Sequence, residues 1–221
     1  MCGRFSLWLS LSDLQEAWPD FIFPQEMSPR YNIAPTQPVA VVPNTGDHQV
    51  AFFRWGLIPF WAKEADVGNT LFNARAETVA NKPAFSAAFK QRRCLVLADG
   101  FYEWRAEADG KTKTPMYIRM ASGQPFAFAG LWETWGPQES LTHSCTIITT
   151  RPNALVAPIH DRMPVILPPE AYAQWLNPAT PPFALNTLLK PYPAEPMTAY
   201  AVSRLVNSPM NDTPDCIAPA V

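Results

Sequence analysis

The chain has 221 residues, 48% hydrophobic and 16% charged, a globular composition with enough length to bury one substantial core. Its net charge is −2 and its pI about 5.9, which excludes a protein that coats nucleic acid by bulk positive charge. No apolar run reaches the roughly 18 residues of a membrane span, and the first residues, MCGRFSLW, lack the parts of a signal peptide. A cytoplasmic location without membrane contact is expected.

Proline is abundant and glycine scarce, 25 against 9, which predicts stiff, extended connections and short helices. The first helix is expected over residues 12–18, with Ser12 as N-cap and Gln15 closing a capping box before Pro19. Strands follow at 38–42 and 50–58, joined by the turn signal Asn44-Thr45-Gly46-Asp47. A short helix is predicted at 82–91 and a buried strand at 94–98. Beyond that strand lies Asp99-Gly100-Phe101-Tyr102-Glu103-Trp104. Further strands are expected at 116–120, 126–132 and 144–150, a helix from Pro168 to about Leu176, and a last strand at 197–202. This pattern is α+β: a single domain over 1–221 with a barrel-like, mainly antiparallel β core and short helices flanking it.

Cys2 is the first candidate for chemistry. Removal of Met1 would leave it with a free α-amine beside its thiol, a pair no internal cysteine can offer. The α-amine titrates near 7.7–8.0 against about 10.4 for lysine, so far more of it is neutral at pH 7. An aldehyde would form an imine with this amine, and the thiol could then close on the same carbon to give a five-membered thiazolidine. The alternative is that Cys2 is incidental.

Asn73 and Arg75 stand two apart, so on a strand both would face one side. Glu103 lies beside aromatics after an apolar strand, where burial can raise a carboxylate's pKa and fit it for proton transfer. Taken singly, Asn73 also reads as a turn or cap residue, and Glu103 as a rim carboxylate. His160, between Pro158 and Pro164, suits a general acid or base, with Arg162 on the same face as a phosphate clamp; a packed structural histidine is the alternative. His48 and His143 are read as structural or solvent-facing.

Together these segments resemble the SRAP (SOS-response-associated peptidase) family of abasic-site-crosslinking proteins. The matching runs are MCGRF at 1–5, RYNIAPT at 30–36, RWGLIP at 54–59, NARAET at 73–78, DGFYEW at 99–104 and HDRMPV at 160–165. The resemblance implies a compact domain with a barrel-like β core. It implies that Cys2 forms a thiazolidine with the ring-opened deoxyribose of an abasic site in single-stranded DNA, shielding the lesion, with AP-lyase and N-terminal autopeptidase activities alongside. Asn73 would position the Cys2 end and the sugar, Glu103 would transfer protons near the amine, and His160 would assist ring opening and reversal. Arg4, Arg75 and Arg162 would contact phosphates or organise the site, and Trp61 and Trp104 would stack on or wedge between bases.

Three other readings stay open: an N-terminal-nucleophile amidohydrolase, which can also begin Met-Cys-Gly, a Cys–His peptidase using Cys2 and His160, and a non-catalytic single-strand binder. The four scattered cysteines, without CxxC, are expected to be reduced thiols. With only three histidines and no ligand spacing, no metal and no cofactor are expected. A monomer is expected.

Overall fold

The computed structural model describes residues 2–220. In chain order the elements are β1 (Phe5–Leu7), α1 (Leu11–Ala17), β2 (Arg30–Ile33), β3 (Pro38–Pro43), β4 (Ala51–Trp55), β5 (Asn73–Arg75), α2 (Ser86–Gln91), β6 (Arg93–Ala98), β7 (Gly100–Ala106), β8 (Lys113–Met120), β9 (Phe126–Trp135), β10 (Thr142–Thr150), β11 (Met163–Pro164), β12 (Ile166–Leu167), α3 (Tyr172–Leu176), α4 (Pro182–Leu188) and β13 (Met197–Ala201).

Five strands close on themselves. β4 pairs with β3, β3 with β6, β6 with β9, β9 with β10, and β10 returns to β4. The last pairing is parallel and the others antiparallel. β6 is buried along its whole length, as the apolar run Cys94-Leu95-Val96-Leu97-Ala98 predicts. A second sheet, in the order β13-β8-β7-β1-β2, packs beside the barrel. β1 sits between β2 and β7, and its Phe5 ring meets Trp55 and Phe128 of the barrel at 5.0 and 5.7 Å. The α+β barrel-like core with flanking short helices is therefore the observed architecture.

Several boundaries differ from expectation. The first helix begins at Leu11, with Ser10 as N-cap and Asp13 closing the capping box, because the Ser10 hydroxyl accepts the Asp13 N–H while Asp13 reaches back to Ser10. The strand expected to run to residue 58 stops at Trp55. Gly56 follows with φ +132°, and a Cβ there would collide with the carbonyl of Gly68. The helix expected from residue 82 begins at Ser86, since Pro83 disfavours helical geometry at Lys82 and residues 82–85 form turns instead. The helix expected from Pro168 splits into a 3-10 turn at Pro169–Ala171 and α3. Glu103 lies not beyond a strand but within β7.

Candidate active site at the second residue

Cys2 precedes β1 and is fully buried. The Asn73 side-chain amide donates to its main-chain carbonyl at 2.6 Å. The contact follows from strand alternation. β5 runs parallel to β10 with Asn73 opposite Ile147, so Ala74 turns into the core while Asn73 and Arg75 share the other face. Asn73 is thus a strand residue rather than a cap. Its Oδ1 is buried and, among the described residues, accepts no hydrogen bond.

Glu103 comes from the other sheet. It sits in β7 opposite Met116, buried at 2% exposure, and that burial pushes its pKa up to about 7. His160 Nε2 lies 3.6 Å from Glu103 Oε2. The histidine ends a turn that Asn153 caps by accepting the Val156 N–H at 2.9 Å, and the His160 N–H donates to the Val156 carbonyl. His160 Nδ1 accepts the Arg162 main-chain N–H at 3.0 Å, which leaves the ring proton of the neutral form on Nε2, toward Glu103. The Asp161 carboxylate also approaches Nδ1 at 3.0 Å, but it is 86% exposed and its pull is screened by water. Burial lowers the pKa of His160 and favours the neutral ring.

The Cys2 thiol points to the Arg4 carbonyl at 3.9 Å. Burial, with the charge of Glu103 adding to it, drives its pKa well above the ordinary range, so the group is a thiol and not a thiolate. All four cysteines are buried and unbridged.

The arginines divide. Arg4 donates to Asn32 Oδ1 at 2.7 Å and to the Val206 carbonyl, and its guanidinium lies 5.8 Å from the centre of the Trp104 ring. Asn32 in turn donates to the carbonyls of Ser208 and Asn211, which fastens the C-terminal segment beneath Arg4. Arg162 forms a bidentate pair with Glu77 at 2.7 and 3.0 Å. Both guanidiniums are therefore tied internally, and a phosphate would have to share them. Arg75 is exposed. With Asn73, Thr78, Asn81 and Lys82 it lines a cleft of about 640 Å³. Trp61 is 54% exposed beside the equally open Phe60, on the loop that Gly56 starts. Trp104 is half-buried and donates from Nε1 to Asn207 Oδ1 at 2.8 Å.

Sequence reasoning gave no role to Asn32, Glu77 or Asn153, which hold Arg4, Arg162 and the His160 turn. Asn32 and Glu77 stand inside the RYNIAPT and NARAET runs, so the motifs carried them. Asn153 had only its Pro-Asn turn chemistry as a signal.

Fold and site together define a β-barrel protein that seals the second residue of its chain, a cysteine, between an asparagine from one sheet and a buried glutamate from another. The family model described as SOS response associated peptidase (SRAP) matches residues 1–209, and the chain belongs to that family. It is 48% identical over 222 residues to the abasic site processing protein YoqW of Bacillus subtilis (strain 168), covering 98% of this chain and 99% of that one. It is 31% identical over 272 residues to the abasic site processing protein HMCES of Pongo abelii, covering 99% of this chain and 76% of that one. A crystal structure of a protein from Bacteroides thetaiotaomicron superposes with a TM-score of 0.89 at 28% identity, covering both chains completely.

Proposed function

We propose that this protein processes abasic sites in single-stranded DNA by forming a covalent thiazolidine between Cys2 and the ring-opened deoxyribose. The names of its relatives support the target. The observation that carries the chemistry is the convergence of Asn73, Glu103 and His160 around a buried second-residue cysteine. Met1 lies outside the described residues, and the reaction requires its removal, which frees the Cys2 amine; self-removal by this chain is part of the same proposal.

In the chain that still carries Met1, burial holds the thiol protonated, and a protonated thiol is a poor first nucleophile, which supports an order in which the amine attacks first. The neutral amine adds to the aldehyde, the carbinolamine loses water, and an imine forms. The Cys2 sulfur then adds to the imine carbon, its proton passing to the nitrogen, and the five-membered ring closes with no oxidant or reductant. Glu103, with a pKa about 7, can both take and return a proton in these steps. His160, neutral and with Nε2 toward Glu103, assists opening of the sugar hemiacetal and reversal. Asn73 holds the Cys2 carbonyl and offers its unfilled Oδ1 to the sugar or the amine. Arg75 and Lys82 supply phosphate contacts in the neighbouring cleft, and Trp61 a stacking surface. Ring closure removes the imine from which β-elimination proceeds, so strand cleavage is a side reaction. The protein acts in this role in the cytoplasm as a monomer.

The same thiol disfavours a Cys–His peptidase acting in trans, because His160 pairs with Glu103 and the hydrogen bond of Sγ goes to Arg4. The test is denaturing-gel crosslinking of Met-free protein to an oligonucleotide carrying one abasic site, with intact-mass analysis and Cys2→Ala as control. A heat-stable adduct specific to the abasic strand and to Cys2 is expected. No adduct from protein confirmed to lack Met1 would overturn the reading.

A further inference from the structure

The β7–β8 hairpin carries a second concavity, separate from the cleft beside Asn73. It has a volume of about 490 Å³ and is lined by Trp104, Lys111, Thr112, Lys113, Arg204 and Asn207. Lys111, Lys113 and Arg204 are exposed, and among the described residues none of them is in an ion pair. No carboxylate lines the hollow. The nearest acid of the hairpin, Asp109, is engaged by its own loop: it accepts the N–H groups of Lys111 and Thr112 at 2.9 and 2.8 Å and the Thr112 hydroxyl. Arg204 favours the charged form of Asp109 through its field, without forming an ion pair with it. Glu107, on the same hairpin, pairs with Arg105 at 3.2 Å. In a chain of net charge −2, three cations outside ion pairs around one hollow are a local exception.

The hollow lies across the sheet from Glu103: side chains alternate along β7, so Glu103 faces the side of Phe101 and Met116, while Trp104, with Tyr102 and with Lys113 opposite Ala106, faces the other side. The Lys113 ammonium is close enough to favour both the carboxylate form of Glu103 and the neutral form of His160. Trp104 lines the hollow, its indole donating to Asn207 Oδ1 and standing 5.8 Å from the Arg4 guanidinium.

We infer that this hollow is a phosphate-binding subsite for the DNA strand to one side of the lesion, with Lys111, Lys113 and Arg204 neutralising the backbone and the Trp104 ring bearing an adjacent base. The inference rests on the proposed abasic-site chemistry for the identity of its ligand. It adds to a net-acidic chain a local cluster of cations distinct from the cleft that Arg75 and Lys82 line. Phosphate contacts of this kind position a strand without reading its sequence.

The test compares the intact Met-free protein with a Lys111→Gln, Lys113→Gln, Arg204→Gln triple variant, all exposed positions. Fluorescence anisotropy with a labelled, undamaged single-stranded 20-mer reads the subsite whether or not covalent chemistry follows. Removing one phosphate-neutralising cation reduces the salt slope of single-strand binding by about 0.7, so removing three lowers it by about 2, and affinity at low salt falls about tenfold or more. Crosslinking is then measured with the lesion near either end of the strand. A Lys111→Gln, Arg204→Gln double variant, which keeps the Lys113 field at Glu103, is expected to lose yield on strands extending to one side and to match the wild type on strands extending only to the other. Lys113→Gln alone is expected to raise the pH midpoint of crosslinking, which a purely structural role would leave in place. Unchanged affinity and salt slope in the triple variant would overturn the subsite. A wild type that makes no adduct while the triple variant still loses affinity would instead overturn the crosslinking reading and leave the subsite standing.

Discussion

The Asn73 side-chain amide holds the main-chain carbonyl of Cys2 at 2.6 Å, and so couples a three-residue strand on the barrel to the chemical end of the chain. Asn73→Ala takes the donor from that carbonyl and removes the Oδ1 acceptor from the site. A buried hydrogen bond broken this way costs about 1–3 kcal/mol, so the crosslinking rate is expected to fall about tenfold to a hundredfold with little change in DNA affinity. Asn73→Asp keeps the shape but loses the donor, and is expected to be no better than Asn73→Ala. Recovery of the wild-type rate by the aspartate would contradict the donor role.

Glu103 should set both a rate profile and a stability profile. Between pH 5.5 and 9 the wild-type crosslinking rate is expected to rise through an inflection near 7, as its carboxylate forms. Glu103→Gln should lose that inflection while keeping any contributed by the α-amine. The stability effect has the opposite direction. The folded pKa lies above the unfolded value of about 4.3, so the folded state binds the proton more tightly, and the benefit is full at low pH and lost as pH rises through about 7. Chemical denaturation at pH 7.5 should therefore show Glu103→Gln to be more stable than wild type, by on the order of 3 kcal/mol, with the gap closing toward pH 4.5. Equal stabilities at pH 7.5 would show that burial does not penalise this carboxylate.

Cys2→Ser retains the amine and loses the sulfur. It should still form an imine, trapped by borohydride, and should nick abasic strands more than the wild type does. It should give no adduct that survives heat. Equal heat-stable yields from the two proteins would refute ring closure by sulfur.

Arg75 and Arg162 should separate by experiment. Arg75→Gln is expected to weaken DNA binding uniformly across sequences and to shallow the salt slope by about 0.7. Arg162 bridges Glu77 and the Thr149 carbonyl next to the His160 turn. Arg162→Gln is expected to lower thermal stability and crosslinking together, with a smaller change in salt slope. Matching salt slopes for the two variants would assign them the same role.

Arg93 offers a check on the scaffold alone. It is fully buried, and its guanidinium donates to the carbonyls of Phe89, Lys90, Trp175 and Asn177, where α2 and α3 end. Arg93→Met orphans these carbonyls, and urea titration should show a loss of about 3–5 kcal/mol, on the scale of a broken buried charge network. Arg93→Lys, with a compact ammonium, cannot reach both helix ends and should recover little of it.

What the sequence made legible follows from how local each signal is. The apolar run of β6 and the strands 116–120, 126–132 and 144–150 are visible because apolar residues repeat along them, although all four extend further than their apolar centres suggest, β6 by one residue. β1, β2 and β5 carry no local strand signal, since three or four residues are too few to show a period, and each is held by partners distant in the chain. The bonds that fix Arg4 and Arg162 join residues up to 202 positions apart and leave no local pattern. The grouping of Cys2, Asn73, Glu103 and His160 was reached through motifs rather than spacing. Their separation across two sheets explains why spacing could not supply it.

Burial of the Cys2 thiol has one more effect, on chemical lifetime. Peroxide and disulfide exchange both attack through the thiolate, and a side chain with no exposed surface and a raised pKa presents almost none. Burial of this kind is expected to slow oxidation of the Cys2 sulfur, which under the proposed chemistry would react only with an imine formed at its own neighbouring nitrogen.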